Sequence, residues 1–268
     1  MQIPYSYHNH THYSHDSKTT IRELAQAALD AGLTELGIAD HFDVHPLYTH
    51  RYYFRPDEWW AEFSTRRAEF ADKGLSLKAG IEVGEPHRFR SERNGILERY
   101  EWDFVVGSLH WVGDERIFDK EYFRQRSPEE AYRLYFQEAE GMVRAGGFDI
   151  LAHLDICKRV GTQVYGQYDV REWEALVRPV LAACIEQGTA LEINTSGLRR
   201  NEAQTSPTEI VVQWYHEMGG ERLTIGADAH RSHDVAGGLD TAMAYARRAG
   251  FTRLTTFTKR EVGWVSIE

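Results

Sequence analysis
The chain has 268 residues, 42% hydrophobic and 27% charged, which is enough apolar material for a sizeable core and too much chain for a small disulfide-stapled module. Forty-one acids against 31 bases leave a formal charge of −10, which argues against a surface built to coat nucleic acid while leaving room for a local phosphate pocket. Two cysteines give no disulfide framework, no apolar run approaches the roughly 20 residues of a membrane span, and no signal peptide opens the chain, so one cytoplasmic domain over residues 1–268 is expected, without nucleic-acid or membrane partners and with nothing that sets an oligomeric state.

Taken in order, residues 4–12 (PYSYHNHTH) open a first strand. Residues 21–31 carry apolar positions at helical spacing, with Gly32 as the stop and Thr19 or Thr20 as the cap; if Thr20 serves, Glu23 completes a capping box. A buried strand follows at 36–41, then a helix at 57–73 and strands at 75–84, 104–110 and 148–153. A long amphipathic helix fills 128–145, with Pro128 at its first position. Helices at 170–187, 207–218 and 234–249 alternate with strands at 190–194 and 223–227, before a closing segment at 253–257. Seven strands, most followed by a helix, predict repeated βα units and a parallel sheet. The aromatic stretch 42–56 has no period and reads as a loop over a site.

In parallel α/β barrels, chemistry gathers at the C-terminal ends of strands. His8, His10, His41, Glu82, His110, His153, Asp228 and His230 fall at such ends. As ordinary core groups, each would need its own hydrogen-bond partner in a low-dielectric place. A cluster of divalent metals satisfies them together, and imidazole with carboxylate is a suitable donor set. His8 and His10 are two apart and share a strand face, as do Asp228 and His230.

The ordered segments 8–11 (HNHT), 39–41 (ADH), 80–82 (GIE), 107–110 (GSLH), 151–153 (LAH) and 226–230 (GADAH) resemble those of the polymerase and histidinol phosphatase (PHP) superfamily, most closely its histidinol-phosphate phosphatases. The resemblance spans the chain. It implies a distorted seven-stranded (β/α) barrel, with two to three divalent ions (Zn, Mn or Fe) at the C-terminal ends of the strands. His8, His10, Glu82 and Asp228 would hold the first; Glu82 would bridge to a second completed by His110 and His153; Asp16, His41 and His230 would hold the third. His12 and His15 are rivals to Asp16. The implied reaction is hydrolysis of L-histidinol phosphate to L-histidinol and phosphate in histidine biosynthesis. A metal-bridging hydroxide would attack in line, with Glu82 and Asp228 at the reacting centre.

Phosphate recognition needs cations beyond the metals, and Arg159 and Arg199 follow strand ends, with Lys158 and Arg200 as alternatives. His233 is a candidate to contact the phosphate or protonate the leaving oxygen. Asp43 and Glu115, with Glu85 and Asp155, are loop acids placed to receive the amine or imidazole of the substrate. His45, His50, His87 and His216 read as surface or loop histidines. Competing readings are hydrolysis of another small phosphate ester or a nucleotide, an amidohydrolase-like metal hydrolase, and a metal-stabilised binding module.

Overall fold
A computed structural model describes residues 3–268. Strands β1 (Tyr5–Ser6), β2 (Glu35–Phe42), β3 (Ser76–Gly84) and β4 (Phe104–Ser108) lie side by side in parallel. A short antiparallel hairpin outside this sheet, β5 (Trp111–Val112) and β6 (Glu115–Arg116), follows, and the sheet resumes with β7 (Ile150–Leu151), β8 (Ala190–Asn194) and β9 (Leu223–Gly226). The first and last strands meet: Tyr7 N–H donates to Ile225 O (3.1 Å), His10 N–H to Ala229 O (2.8 Å) and Asp228 N–H to His8 O (2.7 Å), with a parallel bridge at Asn9 and Ala229. The seven strands therefore curl into a nearly closed barrel.

Strands β4, β8 and β9 are buried at every residue, as expected where helices cover a parallel sheet. The covering helices are α1 (Ile21–Asp30), α2 (Pro56–Ala71), α3 (Arg90–Leu97), α4 (Lys120–Arg124), α5 (Pro128–Ala145), α6 (Lys158–Tyr165), α7 (Glu174–Gln187), α8 (Glu209–Glu217) and α9 (Leu239–Arg248). Thr20 caps α1 and forms the capping box with Glu23, while Ser127 caps α5. Among the described residues, no helix is long and apolar enough to cross a membrane.

Sequence periodicity missed α3, α4 and α6, which are short or lie between a strand end and a loop. The expected helix over 170–187 begins as a turn of 3-10 helix (Val170–Trp173), and the expected strand at 148–153 pairs only over β7. The closing segment forms a separate hairpin, β10 (Arg253–Thr258) and β11 (Glu261–Ser266). That hairpin covers the N-terminal end of the barrel: Tyr5 Oη donates to Thr255 O (2.6 Å), Phe257 N–H to Tyr7 Oη (3.0 Å) and Lys78 Nζ to Thr258 Oγ1 (2.7 Å). The opposite end is left to the site.

Candidate metal centre
Parallel register brings the candidate ligands together. Pairing of β2 with β3 puts His41 beside Glu82, and the His41 Nδ1 to Glu82 Oε2 distance is 2.6 Å. Glu82 is central: its Oε1 lies 3.5 Å from His8 Nε2, 3.6 Å from His110 Nε2 and 3.2 Å from His153 Nε2, and its Oε2 lies 3.7 Å from His10 Nε2. Asp228 Oδ1 stands 3.3 Å from His10 Nε2 and 3.5 Å from His230 Nδ1. Asp16 Oδ2 is 3.2 Å from His230 Nε2 and 3.7 Å from His41 Nε2, on the solvent side of the cluster.

The donor set fits divalent cations. Nε2 of His8 and His10 are buried with no hydrogen-bond partner among the described residues, and Nδ1 of His41 and Oε2 of Glu82, although 2.6 Å apart, face each other without hydrogen-bond geometry and have no other partner there. Orphaned polar atoms are rare in a folded interior, and four of them converging here point to a cation. Burial would raise the Glu82 carboxyl, but the charges of His41 and His8 outweigh it and hold that group well below its usual range. For Asp228 burial is likewise overcome, first by the His10 contact and then by the charge of His8. Burial, with His230 and His41 beside it, lowers His10 to about 4 and keeps its ring neutral, the form that can bind a cation. Burial also opposes charge on His8 and His41, yet the carboxylates around them raise both, so the site draws in positive charge.

Two of these residues adopt left-handed backbone: His153 has φ +23° and Asp228 φ +50°. Such conformations cost of order 1–3 kcal/mol in a non-glycine residue and persist where surrounding bonds determine them. Here the His153 N–H donates to Glu192 Oε2 (2.9 Å) and the Asp228 N–H to His8 O (2.7 Å).

A cavity of about 200 Å³ opens above the cluster. Tyr48, Trp111 and Phe118 form an aromatic wall, and Arg116, Arg159 and Arg200 supply positive charge. Tyr48 comes from the 42–56 loop, which forms part of the cavity wall. Arg159 is steered by Ser196 Oγ, 3.2 Å from its Nη2, and by Glu202, 3.5 Å from its Nε. Asp43 reaches the metal side of the cavity, with Oδ1 3.7 Å from His110 Nδ1 and Oδ2 3.9 Å from His41 Nδ1.

Three expected residues are not brought to this cavity. The Arg199 guanidinium bonds to Ala227 O (2.5 Å) and Gly237 O (3.0 Å) and pairs with Asp234, and it lines an adjoining cavity with Asp16, Asp228 and His230 that Arg200 shares with this one. Glu115 is held by Arg126, whose Nη1 lies 3.0 Å from Oε1. His233, with its side chain 70% exposed, points away beside Asp234. The other loop acids are buried: Glu85 accepts the backbone N–H of His110 (2.6 Å) and Trp111 (3.0 Å), and Asp155 pairs with Lys158, which removes that lysine from the phosphate candidates. His45 is also buried, stacked on Trp111 at 4.1 Å. Periodicity missed Arg116, although Gly113 and Asp114 ahead of it are a two-residue hairpin signal. It missed Glu192 too, a lone charge inside an apolar strand, whose Oε1 lies 2.9 Å from His8 Nδ1.

Comparison with known proteins follows these lines. The PHP domain model matches residues 6–196. A histidinol-phosphatase of Lactococcus lactis is 28% identical over 258 residues, spanning 96% of this chain and 95% of its own. A Deinococcus radiodurans protein named "probable histidinol-phosphatase" is 32% identical over 262 residues, with 95% and 96% coverage. A crystal structure of histidinol phosphate phosphatase from Lactococcus lactis, complexed with zinc, L-histidinol and phosphate, superposes with a TM-score of 0.90 at 27% identity, covering 98% of this chain and 100% of that one. The domain match and the relatives covered over nearly their whole length agree with the barrel, and this chain belongs to the PHP domain family.

Proposed function
We infer that the chain is a metal-dependent phosphomonoesterase that hydrolyses L-histidinol phosphate to L-histidinol and phosphate, a step of histidine biosynthesis. The observation that carries this reading is a cluster of orphaned imidazole and carboxylate donors facing Arg159 and Arg200 across one cavity. The zinc, histidinol and phosphate of the Lactococcus lactis structure supply the ligands that such a cavity would take.

Two to three divalent ions, Zn, Mn or Fe, belong to this proposal. His8, His10, Glu82 and Asp228 would hold one, Glu82, His110 and His153 a second, and Asp16, His41 and His230 a third. Ligand atoms of His8, His10 and Glu82, and of Glu82, His110 and His153, lie within 4.8 Å of one another and support the first two, while His10, His41 and His230, and His41, Asp43 and His110, form two further such groups. When bound, divalent ions supply Lewis acidity and a water that loses its proton near neutral pH.

The residues around them do the positioning. Arg159, steered by Ser196 and Glu202, offers its fork to two phosphate oxygens, and Arg200 faces the same space. The wall of Tyr48, Trp111 and Phe118 suits a flat imidazole and keeps water from the ester. Glu115, Arg199 and His233 are left out of the substrate contacts because their side chains are held or aimed elsewhere. We treat residues 1–268 as one catalytic unit, and the free buried Cys157 and Cys184 accord with a cytoplasmic location.

The test is a turnover panel of histidinol phosphate, an aryl phosphate, a nucleoside bisphosphate and a dihydropyrimidine, with metal-loaded protein. Hydrolysis of the aryl phosphate without hydrolysis of histidinol phosphate would sink the substrate assignment. Metal analysis should find two to three ions per chain, and one or none would remove the trinuclear arrangement.

A further inference from the structure
Strand β8 supplies none of the ligands assigned above, yet its inward residues touch three of them. Glu192 is buried, with Oε1 2.9 Å from His8 Nδ1. Its Oε2 accepts the backbone N–H of His153 (2.9 Å) and Nδ2 of Asn194 (3.2 Å). Asn194 Nδ2 also lies 3.3 Å from Asp228 Oδ2, and Ser196 Oγ lies 2.9 Å from that oxygen. Glu192 and Asn194 are two apart on one strand and Ser196 follows in the next turn, so all three address the same end of the barrel.

The contact with His8 is built into the neighbouring strand. A Cβ at Gly226 would overlap Glu192 Oε1 and come 2.6 Å from His8 Cβ, so only glycine lets the carboxylate and the ring meet. A carboxylate oxygen accepts from His8 Nδ1–H, so when the ring is neutral, as it would be with a metal bound, its lone pair is on Nε2. Nε2 is the His8 atom that is buried without a hydrogen bond, 3.5 Å from Glu82. The other oxygen of Glu192 meanwhile holds the left-handed backbone of His153.

We propose that Glu192 is a positioning residue that sets two metal ligands at once, the ring tautomer of His8 and the strained backbone of His153. This rests on the metal-site reading above. Glutamate is required because both donors need an acceptor. A glutamine presents one acceptor and one donor, so either His8 Nδ1–H or the His153 N–H faces another N–H.

The experiment compares wild type with Glu192→Gln by equilibrium dialysis against chelator-buffered zinc, alongside kcat and KM for histidinol phosphate and the melting temperature of the metal-free protein. Zinc affinity should fall about 10- to 100-fold, the usual effect of removing an outer-shell partner. The turnover number should fall with it, KM should stay within about twofold because Glu192 does not line the cavity, and the metal-free melt should fall only by the roughly 2–12 °C that one unpaired buried donor, about 1–3 kcal/mol, costs. If Glu192→Gln does not fold, Glu192→Asp reads the same quantities, since it keeps both acceptors but withdraws them by one methylene; its zinc affinity should also drop. Unchanged zinc affinity and turnover in a folded variant overturn the proposal, as does a change in KM alone. A wild type that binds no zinc overturns the metal-site reading and this proposal together, whereas a zinc-binding wild type beside an indifferent variant overturns this proposal only.

Discussion

Gly84 and Asp43 exclude any side chain between them: a Cβ at Gly84 would lie 2.5 Å from Asp43 Oδ1. Asp43 in turn stands between His41 and His110, the imidazoles assigned to different ions. Gly84→Ala should therefore push Asp43 out of that place. Overpacking of this kind costs about 1–3 kcal/mol, and for a chain of this size each kcal/mol lowers the melting temperature by roughly 2–4 °C. We expect that drop together with reduced metal content. A variant with unaltered melt and metal content would show that Asp43 is free to move aside.

The two arginines read as a phosphate clamp from sequence should behave differently. Arg159→Ala removes a charge-assisted bond worth about 1.5–3 kcal/mol, so kcat/KM for histidinol phosphate should fall about 10- to 150-fold, mostly through KM. Arg199→Ala should leave kcat/KM within about threefold and lower the melting temperature instead, because its guanidinium ties Ala227 and Gly237 together. Steady-state kinetics on both variants decide it, and equal losses of kcat/KM would return Arg199 to the clamp.

Metal removal should cost stability as well as activity. A ligand at 100 times its dissociation constant stabilises the native state by about 2.7 kcal/mol. Chelation should then lower the melting temperature by roughly 5–11 °C, and added zinc should restore it. Scanning calorimetry before and after chelation checks this, and a melt indifferent to metal would contradict the proposed ligand set.

The cysteines should be inert in the native protein. Burial pushes the Cys184 thiol up from its ordinary value near 9 to about 12, and burial, reinforced by Asp155, raises Cys157. The native state thus holds these protons more tightly than the unfolded chain does. That contribution to stability is fully present below pH 9 and is lost as pH climbs from 9 toward 12. At pH 8 a thiol reagent should modify both residues only at the rate of global unfolding. Fast labelling of either one under native conditions would refute the burial argument, and stability should decline above about pH 9.

Much of the barrel was legible in the chain, as were the imidazoles and carboxylates that converge at the ends of its strands. A parallel strand buried on both faces is an apolar run, and a polar residue at its C-terminal end stands out against that run. His41, Glu82, His110 and His153 were visible in this way, and helices α1 and α5 announced themselves through Thr20, Glu23, Ser127 and Pro128. Short helices such as α4 and α6 were hidden, since five to eight residues carry too little periodicity to separate from a loop.

What the sequence alone determined was a set of residue types at strand ends, and hence a metal-binding barrel. Which side chains face the cavity was decided by tertiary structure, because direction outside regular elements follows backbone torsions that no spacing encodes. Arg200 lines the cavity above the cluster while Arg199, its neighbour, is bonded to Ala227 and Gly237, Arg116 arrives on a hairpin, and Asp43 is seated against a glycine two strand positions past Glu82. Glu192 lies far along the chain from His8 and still comes within hydrogen-bond reach of it, because the last strands of the barrel close on the first.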